Sequence, residues 1–166
     1  LQEAAEEVVG SYLGGLPPTS ALVVIDNRNA GIKAMVAGPD FEERPFNLAT
    51  LGHRQPGSSI KPISVYAPAL ELGLLLPNSV YDETPHMILN DSFWPINVDL
   101  TYSGLTTVYN AVRVSKNTVA VKVLNEVTPQ FSYECLINKF GITSLVKRQE
   151  TDGQVFSDID LAPLAV

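Results

Sequence analysis

The stretch RQPGSSIKP, residues 54–62, places two serines and a lysine directly after a Pro-Gly pair. Pro-Gly is typical of a turn, and the apolar residues after it recur with the 3.6-residue period of a helix. The sequence therefore predicts a helix over residues 58–72. Pro62 falls in its first turn, where a backbone N–H has no partner in any case, whereas Pro68 lies deeper and is expected to kink the helix.

Ser58 and Lys61 are three positions apart, so a helix would place them on one face. A serine hydroxyl needs a neighbour that takes its proton, and a lysine amine serves if burial or nearby positive charge lowers its pKa. The helix N-terminus would also favour a developing oxyanion at Ser58. The pair suits acyl transfer, although this motif alone leaves open a simple N-cap followed by a solvated lysine.

A second polar motif lies in VRVSKNTVA, where Ser115 and Asn117 are two positions apart. In a turn or bent segment, alternate side chains can point into one cleft. A hydroxyl there can relay a proton, and an amide can hold a substrate carbonyl by a hydrogen bond. The alternative is that the two residues merely interrupt a helix or cap it locally.

The remaining pattern mixes helices with a few strands. Residues 1–14 are typical of a helix, and residues 21–38 predict an antiparallel hairpin around the turn NRNAG. Residues 77–104 are expected to be irregular. Residues 105–127 predict one helix with Thr106 or Thr107 as N-cap, and residues 129–140 predict another that ends at Gly141.

Composition excludes several classes of protein. Of the 166 residues, 45% are hydrophobic and 17% are charged, with a net charge of −7, which is typical of a chain that fills a core. No basic stripe is present, so a nucleic-acid partner is not predicted. The single cysteine, Cys135, cannot form an internal disulfide and is expected to be a buried structural thiol. Both ends of the chain are typical of a piece of a longer protein.

Together the two motifs resemble the transpeptidase domain of penicillin-binding proteins. Further segments resemble segments of that family and occur in the same order along the chain: ALVVIDNRNAGIKAMVAG, FNLAT, YDETP, WPIN and VSKNTVA. The resemblance covers nearly the whole chain. It is strongest to the bifunctional class A type, in which a membrane-anchored glycosyltransferase domain precedes the transpeptidase domain.

The resemblance implies an α/β (α+β) fold of the penicillin-binding or β-lactamase-like type, with an antiparallel sheet flanked by helices and an all-helical part. Residues 1–166 would form the N-terminal part of a transpeptidase domain that is incomplete in this chain. They would comprise a linker helix over 1–18, a β-hairpin over 21–38 and a mostly helical region over 58–166 that carries both motifs.

The resemblance also implies the role of each site residue. Ser58 would be the acylated nucleophile, Lys61 its general base and Ser115 the proton relay, while Asn117 would bind the amide of the donor peptide or of a β-lactam. Ser59 does not fit the S-x-x-K register. The implied reaction cross-links peptidoglycan stem peptides that end in D-Ala-D-Ala, through a serine ester that β-lactams trap, and it needs no cofactor or metal.

The family's third motif, Lys-Thr-Gly or Lys-Ser-Gly, does not occur in this chain. We therefore expect the missing C-terminal half of the domain as a partner, either as further sequence or as a separate chain, beside stem peptides and β-lactams. The parent protein is expected to be membrane-anchored, with this domain on the outer face of the bacterial cytoplasmic membrane.

Three other functions use a related set of residues. A D,D-carboxypeptidase would use the same residues, and so would a non-turnover sensor or scaffold that binds β-lactams or peptidoglycan. A serine β-lactamase of the type that needs a Glu in E-x-x-L-N is not favoured, because Val121 and His86 occupy that position.

The histidines and the aromatic residues of the 77–104 segment are two further groups of side chains that could bind ligands. His53 and His86 lack a second ligand at helical spacing, so no metal site is predicted. Phe93, Trp94 and Tyr102 are expected either to line the donor-peptide groove or to pack the 77–104 segment against the helices.

Overall fold

The computed structural model describes residues 1–13, 20–38 and 46–166. These residues form two compact units, Leu1–Gln55 and Pro56–Val166, which are described separately. The last part of the predicted linker helix, residues 14–18, lies outside the described residues. Within the described part of the chain, no helix combines the length and the apolar character that a membrane span requires.

The first unit contains a helix, a two-stranded hairpin and a short second helix. Helix α1 spans Gln2–Leu13, strands β1 and β2 span Leu22–Asp26 and Gly31–Val36, and helix α2 spans Leu48–Leu51. The strands pair antiparallel, with an irregularity between Val24 and Ile25.

Local side-chain contacts shape this unit. The Asn29 side chain accepts a hydrogen bond from the Gly31 N–H at 2.9 Å, which closes the hairpin turn. The Gln2 amide donates to the Met35 carbonyl at 2.8 Å and accepts from the Met35 N–H at 2.9 Å. Helix α1 is thereby hydrogen-bonded to strand β2 of the hairpin.

The second unit begins with residues 57–71, which we name the first-motif helix. It starts as a 3₁₀ turn over Gly57–Ile60, widens to a π-helix over Pro62–Tyr66 and ends as helix α3 over Ala67–Glu71. Pro68 has no N–H to donate to the Ser64 carbonyl, and the Ser132 hydroxyl donates to that carbonyl instead, at 2.5 Å. The kink expected at Pro68 is therefore a π-helical turn that precedes it.

Four more helices and six strands complete this unit. Helices α4, α5, α6 and α7 span Val108–Arg113, Asn117–Val127, Pro129–Asn138 and Leu161–Ala165. Strand β3 (Val80–Asp82) pairs with β6 (Leu105–Thr107), β4 (Met87–Leu89) with β5 (Ser92–Trp94), and β7 (Gln149–Thr151) with β8 (Gln154–Phe156), all antiparallel.

Two sequence predictions were wrong in this unit. Residues 77–104 are not wholly irregular, because they contain three strands, and Asn90 and Asp91 both take the positive φ of a tight hairpin turn between β4 and β5. Residues 105–127 are not one helix, because Leu105–Thr107 is a strand and the chain breaks between α4 and α5. Thr107 is the N-cap, as predicted, and its hydroxyl accepts from the Asn110 N–H.

Helix α5 lies at the centre of the core. It is buried almost all round and packs against the first-motif helix, α6 and α7. Its fully buried side chains include Val119, Val121, Val123 and Leu124, which pack with Leu136 and Leu164 of the neighbouring helices. This apolar contact supplies most of the driving force for folding of the unit.

The cysteine prediction is confirmed. Cys135 on α6 is buried and forms no disulfide, and burial raises the pKa of its thiol. It is a packing residue of the helical core.

Replacing Leu124 by Ala is expected to destabilise the chain by about 2–5 kcal/mol, because it leaves a cavity beside tightly packed neighbours. Urea unfolding measures the loss. Leu76→Ala is the matched control, since that side chain is 63% exposed and its truncation should cost little. Equal losses in the two variants would contradict the assignment of α5 to the core.

Candidate active site

Lys61 is a buried lysine, only 3% exposed, that follows the 3₁₀ turn of the first-motif helix. Its ammonium donates to the Ser115 carbonyl at 3.2 Å, to Ser115 Oγ at 3.3 Å and to Asn117 Oδ1 at 2.5 Å. All three acceptors are neutral oxygens. Burial therefore lowers the pKa of Lys61 from 10.5 to about 8.

Ser115 and Asn117 meet Lys61 because the chain turns sharply between α4 and α5. Ser115 has φ +57, in the left-handed region that a serine rarely adopts. The Lys116 N–H donates to the Ala111 carbonyl at 2.9 Å, which closes α4, and α5 begins at once with Asn117. The sequence motif is thus a bent segment, which we name the SKN turn, residues 115–117.

The orientation of the Asn117 amide follows from its two partners. Its Nδ2 donates to the Ile96 carbonyl at 2.8 Å, so Oδ1 faces the Lys61 ammonium. Because an amide nitrogen cannot accept from Lys61, the two hydrogen bonds together fix which end of the amide points to the lysine. Among the described residues, the second N–H of Nδ2 has no acceptor.

The two serines before Lys61 differ clearly. Ser59 Oγ donates to the Pro56 carbonyl at 2.6 Å and is turned back into its own helical segment. Ser58 is exposed, and within the described residues its hydroxyl makes no hydrogen bond. Gly57 before it has φ +54, a conformation that favours glycine. Ser58 thus precedes Lys61 by one turn on the same segment, but in a 3₁₀ turn rather than the α-helical first turn that was predicted.

The structure therefore brings three of the four predicted residues together through hydrogen bonds. Lys61, Ser115 and Asn117 form one cluster. Ser58 is tied to it through the backbone, where its carbonyl accepts from the Lys61 N–H. The segment thus carries an exposed serine one turn before a cluster of an amine, a hydroxyl and an amide, which are group types that acyl transfer can use.

Sequence reasoning missed a second buried lysine, Lys116, in the middle of the SKN turn. Its ammonium lies 3.2 Å from Glu83 Oε1 and 2.9 Å from Asp99 Oδ2, and it also donates to the carbonyl and hydroxyl of Thr101. Burial alone would lower the pKa of Lys116, but the hydrogen bonds to Asp99 and Glu83 outweigh burial and raise it. The only available signal was its position between two site candidates.

Hydrogen bonds attach the 96–101 loop to the start of α5. Asn97 Oδ1 accepts from the N–H and the hydroxyl of Thr118 at 3.2 and 3.3 Å, while Asn97 Nδ2 donates to the Thr101 carbonyl at 2.9 Å. Hydrogen bonds from Lys116 and Thr101 also lower the pKa of Asp99 to about 2. This loop is therefore fixed against the SKN turn at several points.

The aromatic residues of this region divide into two groups. Trp94 is partly buried and packs against the helical core, whereas Phe93 and Tyr102 are 63% and 39% exposed. Trp94 is therefore a packing residue, whereas Phe93 and Tyr102 are the two of these three aromatic residues that face solvent. In the described part of the chain, no cluster of three His, Cys, Asp or Glu side chains is suited to a metal ion.

Comparison with known proteins shows to which family the chain belongs. A family model described as the penicillin binding protein transpeptidase domain matches residues 20–161. The chain is 36% identical over 126 residues to penicillin-binding protein 1A of Neisseria cinerea, which covers 74% of this chain and 16% of that protein. The chain belongs to the penicillin-binding protein transpeptidase family, and its relatives include class A penicillin-binding protein 1A.

Solved structures show the same fold. Penicillin-binding protein 1A from Haemophilus influenzae matches with a TM-score of 0.65 and 36% identity, covering 73% of this chain and 18% of that one. PonA1 of Mycobacterium tuberculosis, solved in complex with penicillin V, matches with a TM-score of 0.73 and 26% identity, covering 99% and 44%. The predicted fold class is confirmed, and the chain spans only part of the proteins that it matches.

The burial of Lys61 predicts a pH dependence of stability. Its pKa is lower in the folded chain than in the unfolded one, so between pH 8 and about 10.5 the unfolded chain binds more protons and the unfolding free energy rises with pH. In this pH window, the free energy of unfolding of the natural chain should rise, relative to that of Lys61→Met, by up to about 1.4 kcal/mol per pH unit. Urea unfolding at pH 7, 8, 9 and 10 measures this difference, and a constant difference would contradict the lowered pKa.

Proposed function

We propose that this chain carries the first part of a peptidoglycan D,D-transpeptidase that works through a serine acyl-enzyme on Ser58. The observation that carries the proposal is the buried Lys61 amine, which is held by Ser115 and Asn117 without a carboxylate partner among the described residues. Membership of the penicillin-binding protein transpeptidase family supports it independently.

The lowered pKa gives Lys61 a usable proton-accepting state. With a pKa of about 8, roughly a tenth of the amine is neutral at pH 7. At the ordinary value of 10.5 the neutral fraction would be roughly 300-fold smaller. Burial among neutral oxygens therefore keeps part of Lys61 in the neutral form that can act as a base. A carboxylate partner would instead have stabilised the charged amine and raised its pKa.

In the proposed acylation, the Ser58 hydroxyl attacks the carbonyl carbon between the two D-Ala residues of a donor stem peptide, and its proton passes to neutral Lys61. The carbonyl oxygen becomes an oxyanion, for which the Ser58 backbone N–H is a proposed donor. The C–N bond then breaks, and the leaving D-Ala amine takes a proton through Ser115. The remaining N–H of Asn117 binds the donor peptide.

In the proposed second half-reaction, an amine of a neighbouring stem peptide attacks the Ser58 ester. The amine gives up a proton to the Lys61–Ser115 pair as the new amide bond forms, the C–O bond to Ser58 breaks, and the pair passes that proton to the Ser58 oxygen. A β-lactam follows the first half only, because opening of its ring leaves no separate leaving group and the ester on Ser58 persists. Stem peptides and β-lactams are therefore the proposed ligands.

The parent protein also enters as a proposal. The chain spans 16% of the Neisseria cinerea relative and lacks a Lys-Thr-Gly or Lys-Ser-Gly motif. We infer that the missing C-terminal half of the domain arrives as further sequence or as a separate chain. Kinship with penicillin-binding protein 1A supports a membrane-anchored parent whose transpeptidase domain acts on the outer face of the bacterial cytoplasmic membrane.

Incubation with penicillin should add the mass of one drug molecule, and the adduct should be lost in Ser58→Ala but kept in Ser59→Ala. The reason is that the Ser59 hydroxyl is hydrogen-bonded to the Pro56 carbonyl, whereas the Ser58 hydroxyl makes no hydrogen bond among the described residues and lies in the S-x-x-K register with Lys61. Intact-mass spectrometry measures this on the 166-residue chain and on the same chain extended through the third motif. An adduct that survives Ser58→Ala in the extended protein would contradict the assignment.

Acceptor dependence separates transpeptidation from the alternatives. With a D-Ala-D-Ala stem peptide, the extended protein should release D-Ala and join the acyl group to an added stem-peptide amine, as followed by product mass. Hydrolysed product alone would favour a D,D-carboxypeptidase. Acylation without any turnover would favour a sensor or scaffold.

A further inference from the structure

Lys116, Glu83 and Asp99 form a charged cluster that the proposed acylation does not use. Glu83 is fully buried and Lys116 is 5% exposed, while Asp99 is partly exposed. The Glu83 carboxylate also accepts from the Ser103 N–H through Oε1, and in the described part of the chain its Oε2 has no hydrogen-bond partner. Buried charges of this kind require an explanation beyond stability.

The cluster is covalently joined to the candidate active site. Lys116 lies between Ser115 and Asn117, so fixing its side chain also fixes the backbone that carries both. Its contacts with Asp99 and Thr101 reach the same loop whose Ile96 carbonyl accepts from Asn117 Nδ2. One loop therefore holds the turn through two consecutive side chains.

The backbone of the turn needs this support. A serine at φ +57 is in a sparsely populated conformation, and such residues persist where the surroundings determine them strongly. An apolar pair would fill the same space, and a buried ion pair is not in general more stable than such a pair. The ion pairs instead fix the orientation of the Lys116 side chain, because its ammonium must point at two carboxylates that lie on other segments.

We propose that Lys116 is a positioning residue that, through its ion pairs with Glu83 and Asp99, holds Ser115 and Asn117 against the Lys61 amine. Lys116 itself touches no reacting atom. A catalytic effect of Lys116 rests on the proposed function. Its effect on the surroundings of Lys61 does not, because the titration of Lys61 is measured without any substrate.

The test follows the titration of Lys61 by NMR in chain labelled with ¹³C at lysine Cε, with the signal assigned by Lys61→Arg. In the natural chain the midpoint should lie near 8. In Lys116→Met the turn loses its anchor, water reaches Lys61, and the midpoint should rise by about one pH unit, which makes neutral amine about tenfold scarcer. Lys116→Arg keeps the ion pairs and should restore the natural midpoint.

A folded Lys116→Met protein with an unchanged Lys61 midpoint would overturn the proposal, and so would an Arg variant that behaves like the Met variant. If Lys116→Met alone does not fold, the double variant Lys116→Met with Glu83→Gln removes the unpaired buried charge and takes its place. Near-ultraviolet circular dichroism verifies folding in each case.

Penicillin acylation of the protein extended through the third motif separates the two proposals. Loss of Lys61 positioning should slow acylation in Lys116→Met by about tenfold at pH 7, with recovery at higher pH. An extended natural protein that is never acylated would refute the proposed function, whereas the NMR titration would still decide the role of Lys116. Slower acylation by a Lys116→Met protein that is folded by circular dichroism, with an unchanged pH midpoint of the rate, would contradict the proposed positioning role.

Discussion

The burial of one lysine amine among neutral oxygens is the constraint on which the rest of the site depends. Lys61 is surrounded by the carbonyl and hydroxyl of Ser115 and by the Asn117 amide, so its charged form is penalised and its pKa falls to about 8. Lys116 is as deeply buried, yet two carboxylates raise its pKa. The two buried lysines that meet at the SKN turn thus have opposite surroundings, and only Lys61, among neutral oxygens, is suited to accept a proton.

Such an arrangement requires a rigid support, which the helical core provides. Helix α5 begins at Asn117 and is buried almost all round, so the last residue of the second motif is joined directly to the centre of the helical core. The first-motif helix is bound to the same core, because Ser64 Oγ donates to the Leu164 carbonyl at 2.6 Å and the Ser64 carbonyl accepts from Ser132. The π-helical turn that precedes Pro68 is therefore stabilised by hydrogen bonds to neighbouring helices.

Local signals in the sequence predicted much of this, and contacts between distant residues account for what was missed. The spacing of Ser58 and Lys61 and the helical periodicity after Pro56-Gly57 are local, and so is the capping chemistry of Thr107. A bent segment was one interpretation of the second motif, but the positive φ of Ser115 could not be predicted, because the turn is held partly by contacts of Lys116 and Asn117 with the distant 96–101 loop. The pairing of Lys116 with Glu83, 33 positions earlier, was hidden for the same reason. The resemblance to a family supplied the fold class and the expected role of each site residue, but it did not indicate either of these long-range contacts.

The most direct test of the central claim is the pH dependence of the acylation rate, measured with a fluorescent penicillin on the protein extended through the third motif. If neutral Lys61 takes the proton from Ser58, the rate should rise with pH and reach half its plateau near pH 8, where half of the amine is neutral. A rate that still rises past pH 10, as expected of an ordinary lysine, would contradict the account, and so would a Lys61→Met variant that is acylated as fast as the natural protein.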